Sequence, residues 1–315
     1  MDSERSNISD LYNSTPRFCG LPTFMRLPEY KDIDKSDVVI VGIPFDDTSS
    51  YRTGSRFAPR FIRNVSTCLK KYNRFFDVDI FGSGIISDYG DIPVIPGYIE
   101  KSYNLITDEL SKIVDKGAVT IAIGGDHGIL LPELRAFKEK YGKLSVISFD
   151  AHRDCSNLHF GQPYGHGTTF RRAIEEELID PHSSIIIGVR GSGYSSRDYI
   201  LPKELGFELI DMESFYASNI ADIGNTISKV IGQKPCFVTF DMDCIDPAYA
   251  PGVNTPEICG FTSRECLFLI RQLEGLSIVG CDLVEMNPQY DYGEITAYLA
   301  GNIIFELLSI ILKNK

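Results

Sequence analysis

Short, nearly continuous Val/Ile-rich runs recur along this chain, at residues 38–43, 119–123, 144–149, 184–189, 237–240 and 278–283. Runs that do not alternate with polar residues are what strands buried on both faces display. Between them lie stretches with apolar residues at helical spacing, at 57–71, 101–116, 131–141, 169–178 and 218–231. Thr262-Ser263-Arg264-Glu265 forms a capping box that opens a helix over 266–273. Strands that alternate with helices require a mostly parallel sheet covered on both faces, so the predicted fold class is α/β. No internal repeat or low-complexity linker divides the chain. Residues 1–20 read as a polar arm and 21–315 as a single catalytic domain.

Ligands of such sheets bind beyond the carboxyl ends of the strands. Run 119–123 ends in Gly124-Gly125-Asp126-His127-Gly128, and run 144–149 in Asp150-Ala151-His152-Arg153-Asp154. Run 237–240 ends in Asp241-Met242-Asp243-Cys244, and run 278–283 in Val284-Glu285. Aspartate is depleted in strands and seldom fully buried unless paired or bound to metal. If strand geometry continues, alternate residues share a face. Asp150, His152 and Asp154 then converge, as do Asp241 and Asp243. His127 is read as a further ligand, with Asp126 orienting it or the neighbouring backbone. Carboxylates and imidazoles without a thiolate suit manganese first, with nickel, cobalt or zinc as alternatives. Four aspartates and two histidines are too many for one ion, so two divalent ions about 3.5–4 Å apart are expected. Cys155 and Cys244 adjoin these motifs and are read as structural.

The 43 acidic residues outnumber the 31 basic ones, for a formal charge of -12. That balance argues against a nucleic-acid binder, which needs a basic face. None of the eight cysteines forms a CxxC pair, and no apolar segment follows Met1-Asp2-Ser3-Glu4-Arg5. Both point to free thiols in the cytoplasm. The most apolar stretch, 295–312, carries Asn302 and Glu306 and reads as a buried helix, not a membrane span.

Gly124-Gly125-Asp126-His127, Asp150-Ala151-His152-Arg153-Asp154 and Phe240-Asp241-Met242-Asp243-Cys244-Ile245-Asp246-Pro247 resemble the signatures of the ureohydrolases, the arginase/agmatinase family of dinuclear manganese enzymes. Pro16-Arg17-Phe18, Gly54-Ser55-Arg56-Phe57-Ala58-Pro59-Arg60 and His166-Gly167-Thr168-Thr169-Phe170 are similar to the agmatinase branch and its guanidino-acid relatives. The resemblance implies a three-layer α/β/α sandwich and release of urea from a small guanidino substrate. It implies one ion held by His127, Asp150, Asp154 and Asp241, and a second held by Asp150, His152, Asp241 and Asp243. It assigns Glu285 to the guanidinium, Asp154 to the nucleophile and its proton, and His166 to substrate contact or proton transfer. It also implies a homo-oligomer, a trimer or hexamer.

Three positions depart from the agmatinase pattern: Gly128, where serine is usual; Arg153, where a small polar residue is usual; and Val253-Asn254, where Thr-Gly is usual. Alternation turns Arg153 away from the metals, toward an acid partner. Loops 156–165 and 191–198 are expected to recognise the substrate tail. Tyr194 would close a small pocket there, and Arg153 or Arg190 would bind an anionic tail. Agmatine is the first expectation, with 4-guanidinobutyrate, 3-guanidinopropionate and free guanidine as alternatives. A dinuclear phosphoesterase would carry further Gly-Asp and Gly-Asn-His-Glu motifs, which are missing. A deacetylase-like hydrolase would need one ion only. A catalytically silent regulatory relative would have lost ligands, and none is lost.

Overall fold

Eight strands form the central sheet of the computed structural model, which describes residues 15–27 and 33–315. They are β1 (Val38–Gly42), β2 (Ile86–Asp91), β3 (Val119–Ile123), β4 (Ser145–Phe149), β5 (Ile185–Val189), β6 (Glu208–Asp211), β7 (Cys236–Asp241) and β8 (Ile278–Val284). Their spatial order is β2-β1-β3-β8-β7-β4-β5-β6, and every pairing is parallel. The polar arm expected over residues 1–20 lies, through residue 14, outside the described residues.

Successive strand residues feed two separate cores. On β3, Ile121 and Ile123 join one, whereas Ala122 joins the other. Helices Ala58–Ser66, Ile220–Ile231, Ser263–Arg271 and Ile295–Lys313 cover the first face. Helices Ile99–Asp115, Leu130–Tyr141 and Thr169–Glu175 cover the second. This is the three-layer α/β/α sandwich. The Thr262–Glu265 capping box forms as expected. Helix Ile295–Lys313 is long and apolar enough to cross a membrane, but 72% of its apolar window is buried within the molecule. Its Glu306 accepts two hydrogen bonds from Arg271, at 2.9 and 3.0 Å. All eight cysteines are free.

Two strands were not anticipated, β2 and β6, and both are sheet edges. Ile86-Ser87-Asp88-Tyr89-Gly90-Asp91 lacks the apolar continuity of the inner strands, and β6 is only four residues long. A small antiparallel pair, Tyr72–Asn73 with Val78–Asp79, was also missed. The consequence for the site lies in the strand order. β3, β8, β7 and β4 are consecutive neighbours, so the four motif-bearing ends lie side by side.

The edge strand β2 is tied to the first helix layer by a buried ion pair. Arg63 donates Nε and Nη2 to the two carboxylate oxygens of Asp88, at 2.8 and 2.9 Å. Removing one member of such a pair leaves a buried charge uncompensated, at a cost of about 3–5 kcal/mol. Arg63→Met is therefore expected to lower the unfolding free energy by about that much in urea titration. An unchanged midpoint would show that Asp88 is satisfied without it.

Candidate metal centre

The site begins where β3 ends. Gly125 lets two backbones touch: a Cβ there would fall 1.6 Å from the Phe45 carbonyl oxygen. Asp126 then caps the turn that follows, accepting from the Gly128 and Thr48 backbone N–H groups at 2.9 and 2.7 Å. It orients backbone, as one of its two expected roles, and makes no bond to the His127 ring. That ring is oriented by Thr239, whose Oγ1 lies 2.9 Å from Nε2. Nδ1 therefore faces a ring of carboxylate oxygens: Asp154 at 2.8 Å, Asp150 at 3.2 Å and Asp241 at 3.5 Å.

Convergence in the second motif has a different cause from the one expected. β4 stops at Phe149, and Asp154 sits in left-handed backbone at φ 46. The loop, not strand alternation, brings Asp154 round to Asp150. Asp241 is the last residue of β7 and caps the turn Met242–Cys244 by accepting from Asp243 N at 2.8 Å. That turn sets Asp243 Oδ2 at 3.0 Å from His152 Nδ1, which is also 3.6 Å from Asp150 Oδ1. Asp150 thus offers one oxygen to the His127 group and the other to the His152 group. Among the described residues two triads result, His127–Asp150–Asp154 and Asp150–His152–Asp243, each with ligand atoms within 4.8 Å of one another.

Glu285 follows β8, also in left-handed backbone, at φ 64. Non-glycine residues there are uncommon and concentrate at functional sites. Its Oε1 accepts from His127 N at 2.7 Å and lies 3.3 Å from His166 Nδ1. His166 is held from its other side by Ser50 Oγ, 2.9 Å from Nε2.

Burial, together with the neighbouring Asp243 and Asp150 charges, pushes Asp241 well above the usual carboxylate range. Burial and Asp150 raise Asp154 as well. Burial acts to raise Asp150 too, but the imidazoles of His127 and His152 outweigh it and hold that carboxyl below its ordinary value. Burial acts against protonation of His166, yet the Glu285 carboxylate raises it to about 9. His127 Nδ1, Asp150 Oδ2 and Glu285 Oε2 are buried without a hydrogen-bond partner. Such crowding of acids is stable only with compensating positive charge. The donor set fits two divalent cations sharing Asp150.

Residues matched by a family model described as the arginase family run from 36 to 309. The chain belongs to the arginase family. Like its relatives named for guanidino substrates, the chain is a metal-dependent hydrolase of C–N bonds. It is 38% identical over 302 residues to a guanidinobutyrase of Pseudomonas aeruginosa, covering 95% of each chain. It is 37% identical over 309 residues to a mitochondrial agmatinase of Gallus gallus, covering 98% of this chain and 91% of the other. Among solved structures, proclavaminate amidino hydrolase from Streptomyces clavuligerus superposes with a TM-score of 0.92 at 36% identity, covering 96% of this chain and 100% of that one.

Within this family site, three expectations about single residues require correction. Arg190 is not free to bind a substrate tail. Its guanidinium donates to the carbonyls of Asp243 and Glu257 at 2.7 Å, Ile258 at 2.8 Å, and Gly188 and Cys244 at 3.1 Å. It fastens the Asp243 loop instead. Tyr194 closes no pocket, because its side chain is fully exposed. Arg153 forms no ion pair among the described residues, although its charge helps to lower the Asp198 carboxyl, after that group's own backbone and Ser195 hydrogen bonds. Its guanidinium stacks 4.2 Å from the Tyr199 ring centroid, and Nε and Nη2 are buried without acceptors.

The other departures have local reasons. Asn254 is buried, donates to Ser55 Oγ at 3.0 Å and accepts from Asn287 at 2.7 Å, and its backbone N–H donates to the Glu285 carbonyl at 3.2 Å. Thr239, Thr255 (3.0 Å from Asp243 Oδ2) and Ser50 were missed, since lone hydroxyl residues carry no spacing signal. Gly128 has no room for a side chain: a Cβ would lie 2.6 Å from Thr48 Oγ1 and 2.8 Å from both Asp126 Oδ1 and Tyr103 Oη. Gly128→Ser is therefore expected to destabilise the protein by about 1–3 kcal/mol, as overpacking does, measured by denaturant unfolding. Equal or greater stability would show that the Tyr103 side yields freely.

Proposed function

We propose that this enzyme hydrolyses a guanidino acid to urea and the corresponding amine. The observation that carries the reaction is the pair of ligand triads sharing Asp150, beside the unpartnered Oε2 of Glu285. His127, Asp150, Asp154 and Asp241 would hold one ion, and Asp150, His152, Asp241 and Asp243 the other. The absence of thiolate favours manganese over nickel, cobalt or zinc. When bound, the ion pair supplies a water that ionises near neutral pH.

The remaining chemistry falls to side chains. Glu285 Oε2 accepts from the planar guanidinium, a charge-assisted hydrogen bond that fixes its plane. Because Oε1 is already tied to His127 N, the carboxylate cannot swing away. Asp154 would take the hydroxyl proton of the tetrahedral adduct as it collapses to urea and relay it onward. An amine anion is a poor leaving group, so a proton must arrive as the C–N bond breaks. His166, which stays an imidazolium through neutral pH, lies beside Glu285 and so beside that nitrogen.

Agmatine was the first expectation, and it shares the reacting group with the guanidino acids. The tails differ in sign. Arg153, set between His152 and Asp154 with two buried donors unsatisfied, favours a carboxylate tail over an ammonium. The relatives do not decide the point, since a guanidinobutyrase and an agmatinase match at nearly equal identity.

Urea release across a panel of substrates tests both levels. Asp150→Ala is expected to abolish it in a folded, metal-supplemented protein. 4-Guanidinobutyrate or 3-guanidinopropionate should give a higher kcat/KM than agmatine. Arg153→Leu should raise KM for the acid by roughly ten- to a hundredfold, the worth of one hydrogen bond to a charged group, and spare agmatine. Preference for agmatine with no effect of Arg153→Leu would sink the acid assignment and leave the reaction standing. Urea release by Asp150→Ala would sink the reaction mechanism itself.

A further inference from the structure

The hydrogen bonds of His127 lead away from the ligand cluster to two acids that the reaction does not use. Thr239 Oγ1 is 2.9 Å from His127 Nε2 and donates to Asp282 Oδ1 at 2.7 Å. A hydroxyl has a single proton, and Asp282 takes it. Toward His127 the oxygen can only accept, so Nε2 carries a proton, and Nδ1 is the ring atom turned toward the ligand cluster. Thr239 and Asp282 are register partners on the adjacent strands β7 and β8, both fully buried. The Phe240 backbone N–H gives Asp282 Oδ1 a second donor at 3.2 Å.

The other oxygen of Asp282 has no donor. Neither has Oε2 of Glu133, on the helix Leu130–Tyr141 that packs over this face. Both atoms are buried, and the Glu133 and Asp282 carboxyl groups act on one another in the interior. Two ionised carboxylates in that position would repel each other and leave both inner oxygens unsatisfied. One proton between them removes both penalties. Burial, then the Asp282 charge, pushes the Glu133 carboxyl well above its ordinary range, and burial raises Asp282 as well.

We propose that Glu133 and Asp282 share one proton and act, through the Thr239 hydroxyl, as positioning residues that fix the His127 tautomer and aim its Nδ1 lone pair at a divalent ion. The charge of Asp282 holds the hydroxyl, and the hydroxyl holds Nε2–H. Partners of this kind set both the orientation and the basicity of a metal-bound histidine. The proposal rests on the reading of His127 as a metal ligand, and its test separates the two.

Infrared spectra of the whole protein at neutral pH should show the carbonyl band of a neutral, buried carboxylic acid, absent in Glu133→Gln. Manganese titration by calorimetry gives the second readout. Asp282→Asn should weaken binding of one of the two ions by roughly ten- to a hundredfold. Glu133→Gln, whose amide donates to Asp282 in place of the acid, should retain near-wild-type affinity. Thr239→Val, close in shape to threonine, cuts the relay without touching the acids. It should lose affinity as Asp282→Asn does, yet keep the acid band. A band that is missing, or that survives Glu133→Gln, overturns the shared proton. Wild-type affinity in both Asp282→Asn and Thr239→Val overturns the positioning role. Failure of the wild-type protein to bind manganese overturns that role together with the metal reading, and the infrared band still decides the acid pair.

Discussion

Asp150, Asp154, Asp241, Asp243 and Glu285 bring five carboxyl groups to one buried edge of a parallel sheet, with His127, His152 and His166 among them. In a low-dielectric interior such a set is unfavourable by itself. The pKa shifts show it: Asp241 and Asp154 are driven up, and Asp150 is held down only by two imidazoles. Cations that neutralise the edge would turn this repulsion into binding. The same requirement accounts for the unpartnered His127 Nδ1 and Asp150 Oδ2.

Holding those acids together takes much of the surrounding structure. The strand order makes β3, β8, β7 and β4 neighbours, so each ligand motif starts within one strand spacing of the next. Left-handed backbone at Asp154 and Glu285 turns two carboxylates inward where regular geometry would not. Arg190 gathers the carbonyls around Asp243, and the Asn254–Asn287 contact braces the segment beside Glu285. Beneath His127, the proton shared by Glu133 and Asp282 extends the same logic: acids too close to ionise together are made useful by one proton.

Much of this was legible in the sequence because the strongest signals are local. Inner strands are apolar on both faces, and their ends carry acids and histidines that packing does not require. What was not legible depended on contacts distant in sequence. β2 is an edge strand with Ser87 and Asp88 in its middle, and Asp88 is tolerated because Arg63 reaches it from a helix. Arg190 looked like an anion receptor, since nothing local shows that its guanidinium is consumed by backbone carbonyls. Alternation gave the right convergence at Asp150 and His152 for the wrong reason, because the strand had already ended. Asp282 did carry a signal, an acid inside an apolar run, but its partner Glu133 lies on a helix far away in the chain.

The central claim is that this edge holds two divalent ions that share Asp150 and Asp241. Anomalous scattering from manganese-soaked crystals tests it most directly. The account predicts two peaks about 3.5–4 Å apart, one beside His127 and one beside His152, with Asp150 and Asp241 touching both. A single peak, or ions bound away from these residues, would contradict it.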